Sequence, residues 1–280
     1  MDGLPGQEEE AVTGKVDFSG VRWGSVEWTN LCTLYLRAYE SRLAQPILGD
    51  RAAAEAVERI DYDWARVHRR VQPSIYQFLV ALRAKQLDDW AADFLNQNPD
   101  AVVVHLGCGL DTRYQRLQPA QQWFDVDVPQ VINLRRQLYD DTNGYRMIGS
   151  SVTDPQWLGQ VPAGRNALIV AEGLLMYLTE AEIRDLLQRL LDRFDHGELL
   201  ADLGAWWGPR LSKVITSGIT KSGTRDGREF SEWNPRLKLG EISPIIDATK
   251  IPLRPQRALY RILGAIPVVR NSDRLFRFRF

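Results

Sequence analysis

The sequence predicts an α/β fold, a doubly wound and mostly parallel sheet carrying an N-terminal helical cap. Three observations predict it. From Ala101 onward, short apolar runs alternate with helical patterns at a spacing that suits parallel strands and crossover helices. The first run, residues 101–106, feeds straight into Gly107-Cys108-Gly109, and a glycine turn lets a ligand approach the backbone because no Cβ stands in the way. About a third of the chain precedes this turn and reads as helix, too much for a simple extension.

The elements follow in order. Residues 1–20 read as a disordered tail, because the first ten are acidic and contain Gly and Pro, a composition also wrong for a signal peptide. Residues 21–98 form the helical cap. An alanine-rich stretch covers 50–60, and Phe78, Leu82, Leu87, Trp90, Phe94 and Leu95 recur near a helical period until Asn98-Pro99-Asp100 breaks it. Residues 99–280 form the ligand-binding domain. Its strand candidates are 101–106, 122–126, 145–150, 167–171 and 198–202. Thr179-Glu180-Ala181-Glu182 is a capping box, and Ile183, Leu186, Leu187, Leu190, Leu191 and Phe194 give its helix one apolar face. After residue 203 the pattern loosens. Trp206-Trp207-Gly208-Pro209 opens an irregular stretch, and 217–230 has the Gly, Ser, Thr and charged composition of a mobile lid. At the C-terminus Phe276, Phe278 and Phe280 alternate with arginines, the signature of a half-buried strand.

Composition narrows the function. With 35 basic and 36 acidic residues the formal charge is −1, so no electrostatic footprint for nucleic acid or an acidic membrane is visible. No run approaches the ~18 apolar residues of a membrane span. The two cysteines are Cys32 and Cys108, and Cys108 lies in the glycine turn, so a structural disulfide is not expected and the chain reads as cytoplasmic. Three isolated histidines and no cysteine pair supply no metal cluster.

A ligand class follows from the turn and its spacing. Asp127, in Phe124-Asp125-Val126-Asp127, comes about twenty residues after the glycines, where a carboxylate can grip a ribose. Asp125 is a candidate to share that task. The third glycine of a dinucleotide fingerprint is replaced by Thr112. A two-glycine turn with an acid fits S-adenosylmethionine (SAM) better than NAD, and a ligand-free tight turn is the plain alternative.

Several ordered motifs resemble the leucine carboxyl methyltransferase superfamily, with the tetracenomycin-type polyketide O-methyltransferases as the nearer branch. They are Arg37-Ala38-Tyr39-Glu40-Ser41 followed by Asp50, then Leu82-Arg83-Ala84-Lys85-Gln86-Leu87-Asp88-Asp89, and Leu106 through Arg113. Phe124 through Val131, Gly149 through Asp154 with Trp157, and Ala171 through Leu178 complete the set. The resemblance runs from about residue 30 to 203 and fades beyond. It implies a Rossmann-like SAM methyltransferase sheet, mostly parallel, with the C-terminal strand added antiparallel. It also implies that Arg83, with Arg37 as a weaker candidate, holds the methionine carboxylate, a task suited to a planar guanidinium. Gly107, Cys108, Gly109 and Asp111 would cradle the cofactor, with Asp127 and the adjoining Val128 at the ribose. Ser151 and Val152 stand where the wider family often has Asp-Leu at the adenine, and Glu172 lies beside the cofactor.

The implied reaction is O-methylation of a small-molecule substrate, most simply at a carboxylic acid. A carboxylate is already ionised at neutral pH, with a reference pKa near ~4, and needs no base. A phenol, at about 10, wants one. His105 sits inside a strand and His196 ends a helix, which leaves His68 as a candidate catalytic group, with Tyr177. Tyr177 and Trp206 are candidates to line the substrate pocket. The other readings are a hydroxyl O-methyltransferase, a protein C-terminal carboxyl methyltransferase, and a non-catalytic SAM-binding partner.

Overall fold

The computed structural model describes residues 14–215 and 219–280, with backbone alone for 213–215. Its first part comprises β1 (Val16–Asp17), α1 (Val26–Glu40), α2 (Arg51–Arg59), β2 (Ile60–Asp61), α3 (Trp64–Val71) and α4 (Pro73–Gln97). Residues 1–13 of the expected tail lie outside the described residues. Residues 14–20 are ordered: β1 pairs in parallel with β2, and Phe18 is buried. Each of the first three helices starts on a side-chain cap that satisfies an otherwise orphaned N–H. Ser25 accepts from Trp28, Asp50 from Ala53 and Asp63 from Arg66. Pro73 opens α4 at a position where its missing N–H costs nothing. α4 buries side chains all round, because α1 packs on it and β6, β7 and β9 lie beneath it.

The sheet follows: β3 (Val102–Leu106), α5 (Arg113–Leu117), β4 (Gln122–Asp127), α6 (Pro129–Arg135), β5 (Tyr145–Gly149), β6 (Ala167–Ala171), α7 (Glu180–Arg193) and β7 (Gly197–Gly204). The chain ends with α8 (Gly208–Ile215), α9 (Arg228–Trp233), β8 (Lys238–Pro244), α10 (Arg254–Ala265), α11 (Pro267–Arg270) and β9 (Asp273–Arg279). Among the described residues the sheet order is β5-β4-β3-β6-β7-β9-β8, with β5 through β7 parallel and β9 antiparallel to β7 and β8. Every residue of β3 and of β6 is buried, as strands covered on both faces require. The capping box opens α7, where the Thr179 N–H donates to Glu182 and the Glu182 N–H to Thr179.

The strand order reverses direction at β3: β4 and β5 lie on one side, β6 and β7 on the other. An open α/β sheet has its ligand crevice at such a point, beyond the strands' carboxyl ends.

Three features differ from the sequence reading. β9 is not half-buried but buried on both faces, because it is inserted between β7 and β8, and its Arg277 is neutralised by Glu198 at 2.7 Å. β8, α10 and α11 were not legible. Of the expected lid, 217 and 218 lie outside the described residues. The remainder is tied down: the Lys221 N–H donates to the Met176 carbonyl, the Thr224 N–H to the Gly204 carbonyl, and Phe230 is buried. No described helix is long and apolar enough to cross a membrane.

Candidate functional site

Beyond Leu106 the chain turns through Gly107 (φ +61°) and Gly109 (φ +52°). A Cβ on Gly107 would meet Leu174 Cδ1 at 2.9 Å, and one on Gly109 would meet Asn30 Oδ1 at 2.8 Å. Both the backbone conformation and the space therefore require glycine. Asp127, at the end of β4, ties into this turn. Its Oδ2 accepts from the Gly109 N–H at 2.8 Å and its Oδ1 from the Val128 N–H at 2.7 Å. Burial raises the Asp127 pKa, and these N–H donors only partly offset it. From α6, Arg135 donates to the Gly109 carbonyl at 3.1 Å and so braces the turn from behind.

A cavity of about 240 Å³ opens above the turn, at the ends of β3, β4 and β6. It brings together most of the residues the sequence singled out: Arg83, Gly107, Cys108, Gly109, Asp111, Asp127, Glu172 and Tyr177, with Arg37 beside them. The N-terminal half of α1 roofs it with Val26, Thr29, Asn30 and Thr33, isolated helix residues that form no sequence motif.

Other candidates stand apart. Val128 serves Asp127 through its N–H alone. Val152 is buried in the core, while Ser151 is exposed and bonded to Thr153 at 2.7 Å. His68 is exposed on α3, bonded to the Tyr35 hydroxyl at 2.9 Å, and does not line the cavity. Trp206 is 46% exposed and lies between the guanidinium groups of Arg210 and Arg225 at 5.6 and 5.1 Å.

Beneath the cavity runs a continuous network of buried charges. Arg83 on α4 pairs with Glu172 at 2.8 Å and with Asp202 at 3.1 Å. Arg113 reaches Glu172 and Asp88, both at 2.6 Å, and Asp111 at 3.1 Å. Arg116 binds Asp88 at 2.7 Å and both Asp50 and Asp111 at 2.8 Å. Asp50 also receives Arg37 at 3.2 Å and the Thr112 hydroxyl at 2.5 Å. Thr112, the non-glycine of the turn, thus serves as a buried clasp between sheet and cap. Burial alone would raise the Glu172 pKa, but Arg83 and Arg113 outweigh it and hold it down to about 2. Asp111 is likewise held well below its usual value, Arg116, Arg113 and Arg37 together overcoming burial. In such a network each charge needs its partners, since an orphaned buried ion costs several kcal/mol, about 3–5.

Asp125 does not share Asp127's position. It is fully buried and bound by Arg135 and the Tyr145 hydroxyl at 2.6 Å, the Trp123 indole at 2.8 Å and His105 at 3.1 Å. Strand alternation puts Asp125 on the same face as Asp127, but Asp125 lies two residues deeper in β4, enclosed by β3, β5 and α6, while Asp127 stands at the strand end. His105 lines the cavity wall, but its Nδ1 faces Asp125 and its Nε2 accepts from Arg113 at 3.3 Å, so both ring nitrogens are engaged. The Cys108 thiol is pushed well above its usual pKa by burial and then by Asp125.

The chain is similar to known methyltransferases in sequence and in fold. The sequence profile of the leucine carboxyl methyltransferase family matches residues 30–152. The tetracenomycin polyketide synthesis O-methyltransferase TcmP of Streptomyces glaucescens is 39% identical over 271 residues, 93% of this chain and 98% of that protein. The S-adenosyl-L-methionine-dependent methyltransferase dpfgK of Gibberella zeae is 37% identical over 253 residues, covering 81% of this chain and 83% of its own length. A crystal structure assigned to the methyltransferases, from Thermobifida fusca YX, shares the fold with a TM-score of 0.59 at 16% identity, over 87% of this chain and 93% of that one.

Proposed function

The chain belongs to the leucine carboxyl methyltransferase family and is a SAM-dependent methyltransferase; from that premise we propose that it forms a methyl ester on a carboxylate of a small specialised metabolite such as a polyketide. The observation that carries the choice of acceptor is the state of His105. Both nitrogens of the imidazole in the cavity wall are engaged by protein partners, and neither is turned free toward an acceptor. A carboxylate acceptor asks for no proton transfer.

The residues present fit the cofactor. Gly107 and Gly109 bring a bare backbone with positive φ to the cavity wall, and Asp127 stands over the same turn with its carboxylate held by two backbone N–H groups. When bound, SAM supplies a methyl carbon made electrophilic by a sulfonium sulfur. In the proposed arrangement Asp127 accepts from the ribose hydroxyls and the turn backbone passes close beneath them. Arg83, which lines the cavity and is still 17% exposed, would hold the methionine carboxylate. Glu172, kept ionised by Arg83 and Arg113, would favour the positive charge of the bound cofactor. Tyr177 and Met176 bound the acceptor side, and the enzyme's contribution is alignment and exclusion of water.

Calorimetry with S-adenosylhomocysteine, on wild type and Asp127→Ala, tests the cofactor site; binding that the variant does not weaken would contradict it. Labelled SAM with a panel of aromatic carboxylic acids and phenols tests the acceptor. Label released by mild alkali identifies an ester, and label retained as an alkali-stable ether overturns the carboxyl reading.

A further inference from the structure

Val26, Thr29, Asn30, Thr33 and Arg37 recur along α1 at the spacing of one helix face, and all five line the cavity. Polar side chains on an inward helix face call for partners. Three of the four polar ones find them within the chain. The Thr29 hydroxyl donates to the Val26 carbonyl at 2.7 Å and the Thr33 hydroxyl to the Asn30 carbonyl at 3.1 Å. Arg37 pairs with Asp50 at 3.2 Å and donates to the Leu110 carbonyl at 3.3 Å. The Asn30 carboxamide makes no hydrogen bond among the described residues.

That carboxamide is nevertheless fixed in place. From the position a Cβ would take on Gly109, Asn30 Oδ1, Cγ and Nδ2 lie at 2.8, 3.0 and 3.4 Å, so the amide packs against the bare glycine. On the adjoining face of α1, Leu31, Leu34 and Ala38 hold the helix there by packing with Phe18 and Ile60. Gly109 is also the residue whose N–H donates to Asp127 Oδ2 at 2.8 Å. Asn30 and Asp127 thus converge on one glycine from two sides, and both line the cavity.

We propose that Asn30 completes the ribose subsite of the cofactor, its carboxamide N–H donating to the oxygen of a ribose hydroxyl whose own hydrogen goes to Asp127. The inference rests on the placement of the ribose at Asp127 argued above. A carboxylate offers about four acceptor positions, and Asp127 gives two of them to the Gly109 and Val128 N–H groups. The remainder suits the two hydrogens of a vicinal diol. The diol oxygens then stand as acceptors in need of donors, and an acceptor left unpaired away from water weakens binding. Asn30 brings two amide hydrogens to this turn. Thr29 and Thr33 cannot take its place, because the single hydrogen of each hydroxyl is already directed at a carbonyl of its own helix.

The test measures binding of S-adenosylhomocysteine and of its 2′,3′-dideoxy analogue to the full chain by calorimetry, in wild type, Asn30→Leu, Asn30→Ala and Asp127→Ala, with melting temperature as the check on folding. Asn30→Leu keeps much of the shape and drops the donors. Both Asn30 variants should bind S-adenosylhomocysteine about fivefold to tenfold more weakly than wild type, and should bind the dideoxy analogue as wild type does. Equal losses for the two ligands, or an Asn30→Leu variant as tight as wild type, overturn the role of Asn30. If Asp127→Ala still erases the preference for the hydroxylated ligand, the ribose reading of Asp127 stands without Asn30. A preference that Asp127→Ala leaves intact, or no preference in wild type, overturns the ribose reading and this inference with it.

Discussion

Arg83 on α4 and Glu172 beyond β6 lie 89 positions apart in the chain and meet at 2.8 Å, while the same guanidinium reaches Asp202 at 3.1 Å. One side chain thus joins the helical first third of the molecule to two neighbouring strand ends. Burial works against its charge, and Glu172 and Asp202 overcome that cost and raise its pKa.

Arg83→Ala removes the cation that two buried carboxylates share. It should destabilise the fold by about 3 kcal/mol and weaken S-adenosylhomocysteine binding by about tenfold or more. Arg83→Lys should recover little, since a single ammonium cannot span both acids in the plane a guanidinium provides. Urea unfolding at pH 7 checks this; a loss below about 1 kcal/mol for the alanine variant would mean that the pairs contribute nothing net.

Gly109→Ala places a side chain at φ +52° and a Cβ at 2.8 Å from Asn30 Oδ1. The backbone term alone is about 1–2 kcal/mol. Adding Asn30→Gly should relieve the contact but not the backbone strain, so the double variant should regain part of the lost stability. Full recovery on thermal melting would show that the positive φ carries no cost.

Acid should unfold the protein through its paired carboxylates. Glu172 is at about 2 in the fold against an ordinary 4.5, and Asp111 and Asp125 are also lowered. A depressed folded pKa gives stability that is present above the unfolded value and lost as pH falls toward the folded one. Melting temperature should therefore drop as pH falls from about 4.5 toward 2. Glu172→Gln should be less stable at pH 7 and show a shallower acid limb.

Asp273 has the opposite sign. Its pKa is raised in the fold from 3.8 to about 7, so its contribution is fully present below the unfolded value and is lost as pH rises through the folded one. Asp273→Asn should melt higher than wild type at pH 8, and the gap should close toward pH 4. A pH-independent difference would show that the carboxyl does not titrate in this window.

Neither cysteine should react with iodoacetamide in the native protein at pH 8. Burial pushes the Cys32 thiol up to about 12 and the Cys108 thiol well above its usual range, so thiolate is scarce at both. Mass spectrometry before and after unfolding in urea checks it; native labelling at Cys108 would mean that the glycine turn opens.

Local chemistry made much of this protein legible in its residues. Apolar runs bounded by turns marked β3 to β7, the Thr179–Glu182 capping box marked α7, and the Gly107 and Gly109 turn with Asp127 downstream marked the crevice, because each signal lies within a few residues of the feature it specifies. β8 carries no strong sequence pattern, since Lys238–Pro244 is an edge strand with little buried on either face. Asp125 and Asp127 look alike in sequence, two positions apart and both near the turn. Only packing separates them, Arg135 and Tyr145 claiming the first and the turn N–H groups the second. The sequence by itself determined which segments become strands and helices and where the backbone must be glycine, because φ, periodicity and capping are local. Only the tertiary structure decided which acids hold cations and which, like Asp273 among the described residues, enter no ion pair, because the energy of a buried charge depends on neighbours that the chain brings in from far away.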